Sequence, residues 1–191
     1  MSTLVFTRHG ETDMAGRFCG HSDPELNKAG ERDAMCVVKA VSNMGIASVY
    51  SSDLRRASQT AAIIAQHSGI EVSSLAGLRE IDFGEWEGFA WPEIEVRFPK
   101  EAELWLREFP LRSAPGGEPY SAFTKRIDAT LAALLRKTAG MTTAVVTHRG
   151  VMHYALTTYF GFSEEESWKG TAAYGNTVTT NNPLCSCEVM L

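Results

Sequence analysis

Residues 4–12 read Leu4-Val5-Phe6-Thr7-Arg8-His9-Gly10-Glu11-Thr12. Leu4-Val5-Phe6 is apolar, with β-branched and aromatic character, and predicts a strand at about 4–7 that is buried on both faces. The strand therefore ends in a cation, an imidazole and a glycine. Open α/β sheets bind ligands outside the carboxyl ends of their strands. An Arg8-His9-Gly10 placed there faces an anion, with Gly10 letting backbone come close. An isolated pair of this kind reads more simply as a surface arginine and a satisfied core histidine, so the decision rests on what the rest of the chain supplies.

The same logic recurs downstream. Ala144-Val145-Val146 centres a buried strand at about 143–147, which runs into His148-Arg149-Gly150 and then a helix from about 151 to 160. Parallel strands present their carboxyl ends on one side of a sheet, so His9 and His148 can share a pocket. Between these two strands the pattern alternates helix and strand. The stretch 10–24 lacks periodicity and forms a long loop, a frequent place for function. Asn27 is a good N-cap for a helix whose buried face is Ala34, Val37, Val38, Val41 and Met44, with Gly45 as its stop. A short strand at 47–50 follows. A second helix, about 54–67, turns Ala57, Ala61, Ile64 and Ala65 inward and stops at Gly69.

Arg55 and Arg56 occupy the first turn of that second helix, where its dipole disfavours cations by a few tenths of a kcal/mol. Either both are solvated, or one of them points at an anion. A third strand is expected at 71–75. Residues 78–88 are dense in carboxylates and aromatics and hold no period; alone they read as a solvated acidic loop. Residues 91–112 suggest one or two short helices forming a cap, and 114–119 a loop leading to a helix with the stripe Phe123, Ile127, Leu131, Leu134 and Leu135. Residues 176–180 and 184–190 flank Asn181-Asn182-Pro183 as a closing hairpin at the sheet edge.

At 191 residues, 44% hydrophobic and 21% charged, the chain suits one globular α/β domain, with a cap-like insertion at about 89–118. A net charge of −5 argues against bulk nucleic-acid binding and requires any anion site to be a local cationic cluster. No apolar run approaches the ~20 residues of a membrane span. No signal peptide is visible, and Cys19, Cys36, Cys185 and Cys187 show no disulfide or zinc spacing. A cytoplasmic protein with reduced thiols is expected.

Two imidazoles with Arg8 and Arg55 or Arg56 around one point call for a dianion such as phosphate, since the guanidinium fork suits phosphate oxygens. There is no Walker loop and no cluster of aspartates, so nothing requires magnesium, and no cofactor is expected. A protein nucleophile must then take the phosphoryl group, which neutral imidazole can do. Glu80 is a candidate proton donor to the leaving oxygen.

In these segments the sequence resembles the histidine phosphatase superfamily, which includes the cofactor-dependent phosphoglycerate mutases. Arg8-His9-Gly10-Glu11-Thr12 is similar to its signature, and Gly20, Asp23 and 26–30 to the following loop and helix entry. The run from Ser51 to Ala61 resembles its second motif and aligns the phosphate-binding arginine with Arg56, not Arg55. Residues 78–88 resemble the segment that carries the acid, at Glu80; Pro115-Gly116-Gly117-Glu118 resembles a segment common in the phosphatase branch; Val145-Val146-Thr147-His148 resembles the one with the second histidine.

The resemblance implies a three-layer α/β/α sandwich with a mostly parallel, mixed sheet. It implies His9 as nucleophile, Glu80 as acid and then base, and Arg8, Arg56 and His148 as holders of the phosphoryl oxygens. Gly10, Thr12, Gly20, Arg149 and Gly150 complete the expected phosphate and substrate contacts. Three features depart from the pattern: Ala15 replaces a frequent asparagine, the 12–20 loop is short, and Arg149 follows the second histidine where a small residue is common. Arg149 either binds an acidic part of the substrate or points to solvent. The implied activity is a metal-independent phosphomonoesterase acting on a small phosphorylated metabolite through a phosphohistidine. The alternatives are a phosphoglycerate mutase and a non-catalytic phosphate-ligand binder. Neither nucleic acid nor membrane is an expected partner; a homodimer stays open.

Overall fold

Strand β1 (Thr3–Arg8) lies at the centre of the sheet because nothing polar interrupts it: Leu4, Val5 and Phe6 are each fully buried. Burying side chains of this size stabilises by about 1.5–3 kcal/mol each. Alternation then sorts the strands' side chains between two faces. Leu4 and Phe6, with Tyr50, Val145 and Val178, pack into one apolar layer; Val5, with Val49, Ala144 and Val146, packs into the other.

The computed structural model describes residues 2–180 and 187–190. After β1 come α1 (Lys28–Val41), β2 (Ser48–Ser51), α2 (Arg55–Ser68) and β3 (Val72–Ser74). Next are α3 (Trp91–Arg97), α4 (Pro99–Glu108), α5 (Tyr120–Lys137) and β4 (Thr142–Thr147). The chain continues with α6 (Arg149–Tyr159), α7 (Glu164–Gly170), β5 (Thr177–Thr180) and β6 (Cys187–Met190). The sheet order is β3-β2-β4-β1-β5-β6. β1, β2, β3 and β4 run parallel, β5 is antiparallel to β1, and β6 is antiparallel to β5. Helices α1 and α2 cover the Val5 face, and α5 and α6 the Leu4 face. This is the expected α/β/α sandwich around a mixed sheet. Among the described residues no helix is long and apolar enough to cross a membrane.

The elements follow the sequence signals closely. Asn27 Oδ1 accepts from the amides of Ala29 and Gly30, which caps α1, and Gly69 ends α2 at φ +66°. Helix α1 stops at Val41, one turn before Gly45, and β3 is shorter than 71–75. Pro119, the end of the expected loop, is the N-cap of α5, and α6 begins at Arg149 rather than Val151. The closing strands pair as expected, while the 181–186 connection lies outside the described residues. Helix α7 was not foreseen, although Ser163 and Glu166 form a capping box that announces it.

The 89–118 segment carries α3 and α4. Ile94, Ala102 and Ala114 bury against Trp86, and Phe18, Phe83, Phe89, Trp91, Phe98 and Trp105 close around them. This aromatic cluster is separate from the two sheet layers and stands beside the carboxyl ends of the strands.

Candidate active site

Strand register brings the two histidines together. β1 pairs with β4 so that Arg8 stands opposite Thr147, and the next residue on each strand is a histidine. The His9 amide donates to the Thr147 carbonyl at 3.0 Å, and the two rings lie 5.0 Å apart between centroids. Both imidazoles are buried.

His9 is held in one tautomer. Its Nδ1 lies 2.7 Å from the Gly10 carbonyl oxygen and donates to it, while Nε2 accepts from Arg56 Nε at 3.2 Å. The unprotonated nitrogen is therefore Nε2. Burial, and after it the Arg56 charge, holds the His9 ring well below the usual histidine value. Burial, and after it the Arg56 charge, does the same at His148. Neither ring nitrogen of His148 has a hydrogen-bond partner among the described residues. A buried polar group without a partner costs stability, so its persistence beside a second imidazole marks the spot as a ligand site.

Arg56 is fully buried and Arg55 is exposed, which resolves the ambiguity of the first turn of α2. Arg55 pairs with Glu25 at the surface. Arg56 donates to the carbonyls of Ser22 (2.7 Å), Cys19 (3.1 Å) and Gly20 (2.8 Å), as well as to His9. Arg8 donates to the carbonyls of Thr171 and Ala172, and its guanidinium sits 4.0 Å from the centre of the Tyr174 ring. Tyr174 also faces His9, with ring centroids 5.6 Å apart. Sequence reasoning gave Tyr174 no role.

Glu80 is nearly buried at the edge of this cluster. Its Oε1 accepts from the Ile81 amide (3.0 Å) and Oε2 from the Gly150 amide (2.9 Å). Gly150 thus grips the candidate acid, and a Cβ there would collide with the carboxyl group. The segment is pinned by Arg126, which donates to the carbonyls of Gly77, Arg79 and Glu80 and pairs with Glu118, and by the bidentate Arg79–Asp53 pair. The neighbouring Asp82 bonds the Gly84 amide and lies near His21.

Glu87, read from sequence only as one more acidic loop residue, is a keystone. Its carboxylate accepts from the amides of Gly20, His21, Ser22 and Phe83. It thereby shapes the same loop whose carbonyls hold Arg56. The Gly20 amide is spent on Glu87 rather than left for a ligand, and the Gly10 amide on Thr60 Oγ1. Thr12 is buried, and its hydroxyl accepts from the Met14 amide. The polar groups of these three are engaged in bonds that build the loop. Glycine is required at position 10, because a Cβ would run into the Gly30 backbone. Among the described residues no group of three or more His, Cys, Asp or Glu side chains is arranged to hold a metal ion.

A paired-histidine, two-arginine site at the switch between parallel strands defines an anion-handling α/β enzyme. The family model of the histidine phosphatase superfamily, branch 1, matches residues 4–181, so the chain belongs to that superfamily and is an enzyme of the phosphatase class. It is 28% identical over 170 residues to Phosphoserine phosphatase 1 of Hydrogenobacter thermophilus, covering 88% of this chain and 81% of that one. It is 32% identical over 167 residues to the protein named "Probable phosphoglycerate mutase GpmB" of Salmonella newport, covering 84% and 76%. Its fold matches that of the α-ribazole phosphatase from Shigella flexneri with a TM-score of 0.86 at 23% identity, over 98% of this chain and 95% of that one.

Proposed function

We propose that the chain is a metal-independent phosphomonoesterase that passes the phosphoryl group of a small phosphorylated metabolite first to His9 and then to water. One observation carries this: a His9 whose unprotonated Nε2 is fixed against Arg56, with ring centroids 5.0 Å from a second buried imidazole that has no hydrogen-bond partner among the described residues.

In the first step the Arg56 Nε–H turns from Nε2 to a phosphate oxygen, the freed Nε2 lone pair attacks phosphorus as the ester P–O bond breaks, and Glu80 gives its proton to the departing oxygen. Arg8, Arg56 and His148 surround the transferred group and stabilise the charge on its equatorial oxygens. In the second step Glu80 takes a proton from water, the water oxygen attacks phosphorus, the N–P bond breaks and neutral His9 returns. The arginines supply the positive field that a divalent ion supplies elsewhere.

Phosphoglycerate mutation is the second reading, favoured by the 32% identity to the Salmonella protein. A mutase must shield its phosphohistidine from water and retain a bisphosphate, which takes free cations in the cap. Here Arg107 and Arg112 both pair with Glu108, and Arg97 lies over the Phe89 ring. Lys100 alone of the cap cations has neither an ion pair nor a ring contact among the described residues, and one free lysine is little to retain a bisphosphate, which favours water as the acceptor. The test compares phosphate release from a phosphomonoester panel with conversion of 3-phosphoglycerate in the presence of 2,3-bisphosphoglycerate. Hydrolysis without 2-phosphoglycerate is expected; isomerisation faster than phosphate release overturns the proposal.

A further inference from the structure

A cavity of about 580 Å³ opens from Glu80, Arg149 and Gly150 and runs under the cap. The residues that would hold the phosphoryl group, His9, Arg8, Arg56 and His148, are not part of its wall, so its volume belongs to whatever is attached to the phosphate. Pockets of this size, roughly 300–1,000 Å³, suit ligands much larger than a three-carbon acid. Its walls are aromatic: Phe18, Phe83, Trp105 and Phe109 from the cap side, Tyr120 and Trp168 from the sheet side.

Among the described residues, the charged groups in this wall are almost all answered within the protein. Glu118 is taken by Arg126, Arg112 by Glu108, Glu164 by His153, and Glu80 by the Ile81 and Gly150 amides. Asp82 is bonded to the Gly84 amide. Arg149 is the exception. Its guanidinium rests 4.7 Å from the centre of the Trp168 ring, its Nε is buried without a partner, and it makes no ion pair or hydrogen bond with any described residue. Trp168 is fixed in turn by the His153 ring stacked on it at 3.8 Å. Arg149 directly follows His148 in the chain and its charge is felt at Arg8, so it stands where the phosphate end of a ligand meets the aromatic wall.

Resting on the phosphoryl site of the preceding proposal, we infer that the substrates are phosphomonoesters of a bulky aromatic alcohol that carries one carboxylate close to the ester. The aromatic part fills the cavity under the cap, and the carboxylate takes the Arg149 fork. An unpaired guanidinium held over an indole has its N–H fork free for two parallel N–H···O bonds.

The test uses phosphonates, which cannot be hydrolysed: propylphosphonate, 3-(2-naphthyl)propylphosphonate and 2-carboxy-3-(2-naphthyl)propylphosphonate, with Kd measured by calorimetry on the full chain. The naphthyl group is expected to tighten binding by at least about 30-fold through buried apolar area. The carboxylate adds a further factor of about 10 from charge-assisted hydrogen bonds. Arg149→Gln abolishes the carboxylate gain, and Phe109→Ala, at a half-exposed position that leaves the core intact, narrows the naphthyl gain by about 3-fold or more. Three phosphonates within about 3-fold of one another overturn the inference, as does a carboxylate gain that survives Arg149→Gln. Turnover of p-nitrophenyl phosphate, assayed alongside, reports on the phosphatase proposal separately: turnover without discrimination sinks only the inference, and discrimination without turnover sinks only the hydrolytic reading.

Discussion

Gly150→Ala separates chemistry from fold. Gly150 lies in the first turn of α6 and has no positive φ, so alanine fits the backbone and gains helix propensity. The obstacle is Glu80. A Cβ at position 150 would stand 3.2 Å from Cδ and 3.3 Å from Oε2, and deep inside contact with Oε1. The Glu80 carbonyl is held by Arg126, so the side chain, not the segment, must give way. It has to withdraw by about 1 Å, and a displacement of that size at a reacting group costs on the order of 10²-fold. The loss matches the lower end of what general acid catalysis supplies, ~10²–10⁴-fold. For an alkyl phosphate, kcat/KM is expected to fall about 100-fold; p-nitrophenyl phosphate, whose oxygen leaves without a proton, is expected to lose less than about 5-fold. The melting temperature should stay within about 3 °C of the parent. Steady-state phosphate release on both esters and a thermal melt give all three numbers. Equal losses on the two esters, or an alkyl rate within about 2-fold of the parent, refute the idea that the position of Glu80 governs leaving-group protonation.

Other perturbations probe the rest of the site. Arg56→Lys keeps the charge but loses the fork to His9 and three loop carbonyls, so kcat/KM should drop at least ~10²-fold, while Arg55→Ala changes it by less than about 3-fold in the same assay. Glu87→Gln turns an amide NH₂ toward backbone N–H donors, and urea denaturation should show a loss of about 2–3 kcal/mol. His148, neutral and buried when folded, gains a proton on unfolding below the ordinary histidine value of about 6.5, so its contribution to stability falls as pH drops through that value toward its lower folded pKa. Below about pH 6.5 the unfolding free energy of His148→Ala should therefore depend on pH less steeply than the parent's, by at most about 1.4 kcal/mol per unit; an unchanged slope contradicts the buried neutral assignment. Activity should survive EDTA; loss restored by a divalent ion contradicts a field supplied by arginines alone.

The sheet was legible because β1 and β4 each have an unbroken apolar centre, Leu4–Phe6 and Ala144–Val146, and the two histidines follow directly after the strands. Arg55 and Arg56 were not separable by local rules, since both occupy one helical turn; a 100° rotation sends one to Glu25 and the other to His9. Glu87 left no local signal, because its partners are backbone amides, three of them more than sixty residues away. Glycine at position 20 was the available clue: a Cβ there would collide with the Ile81 carbonyl and with Glu87. Tyr174 and Trp168 sit in a stretch with a short helix and no period long enough to read, yet they lie against Arg8 and Arg149, the two arginines that flank the proposed phosphoryl site. Gly150 was expected to touch phosphate; the register of α6 instead turns its amide onto Glu80.

The most direct measurement is the covalent one. Protein mixed with a ³²P-labelled monoester and quenched within milliseconds should carry acid-labile, base-stable label, mapped by mass spectrometry to His9, and His9→Ala should carry none and release no phosphate. Label on another residue, or phosphate release by His9→Ala, contradicts a phosphohistidine at the end of β1.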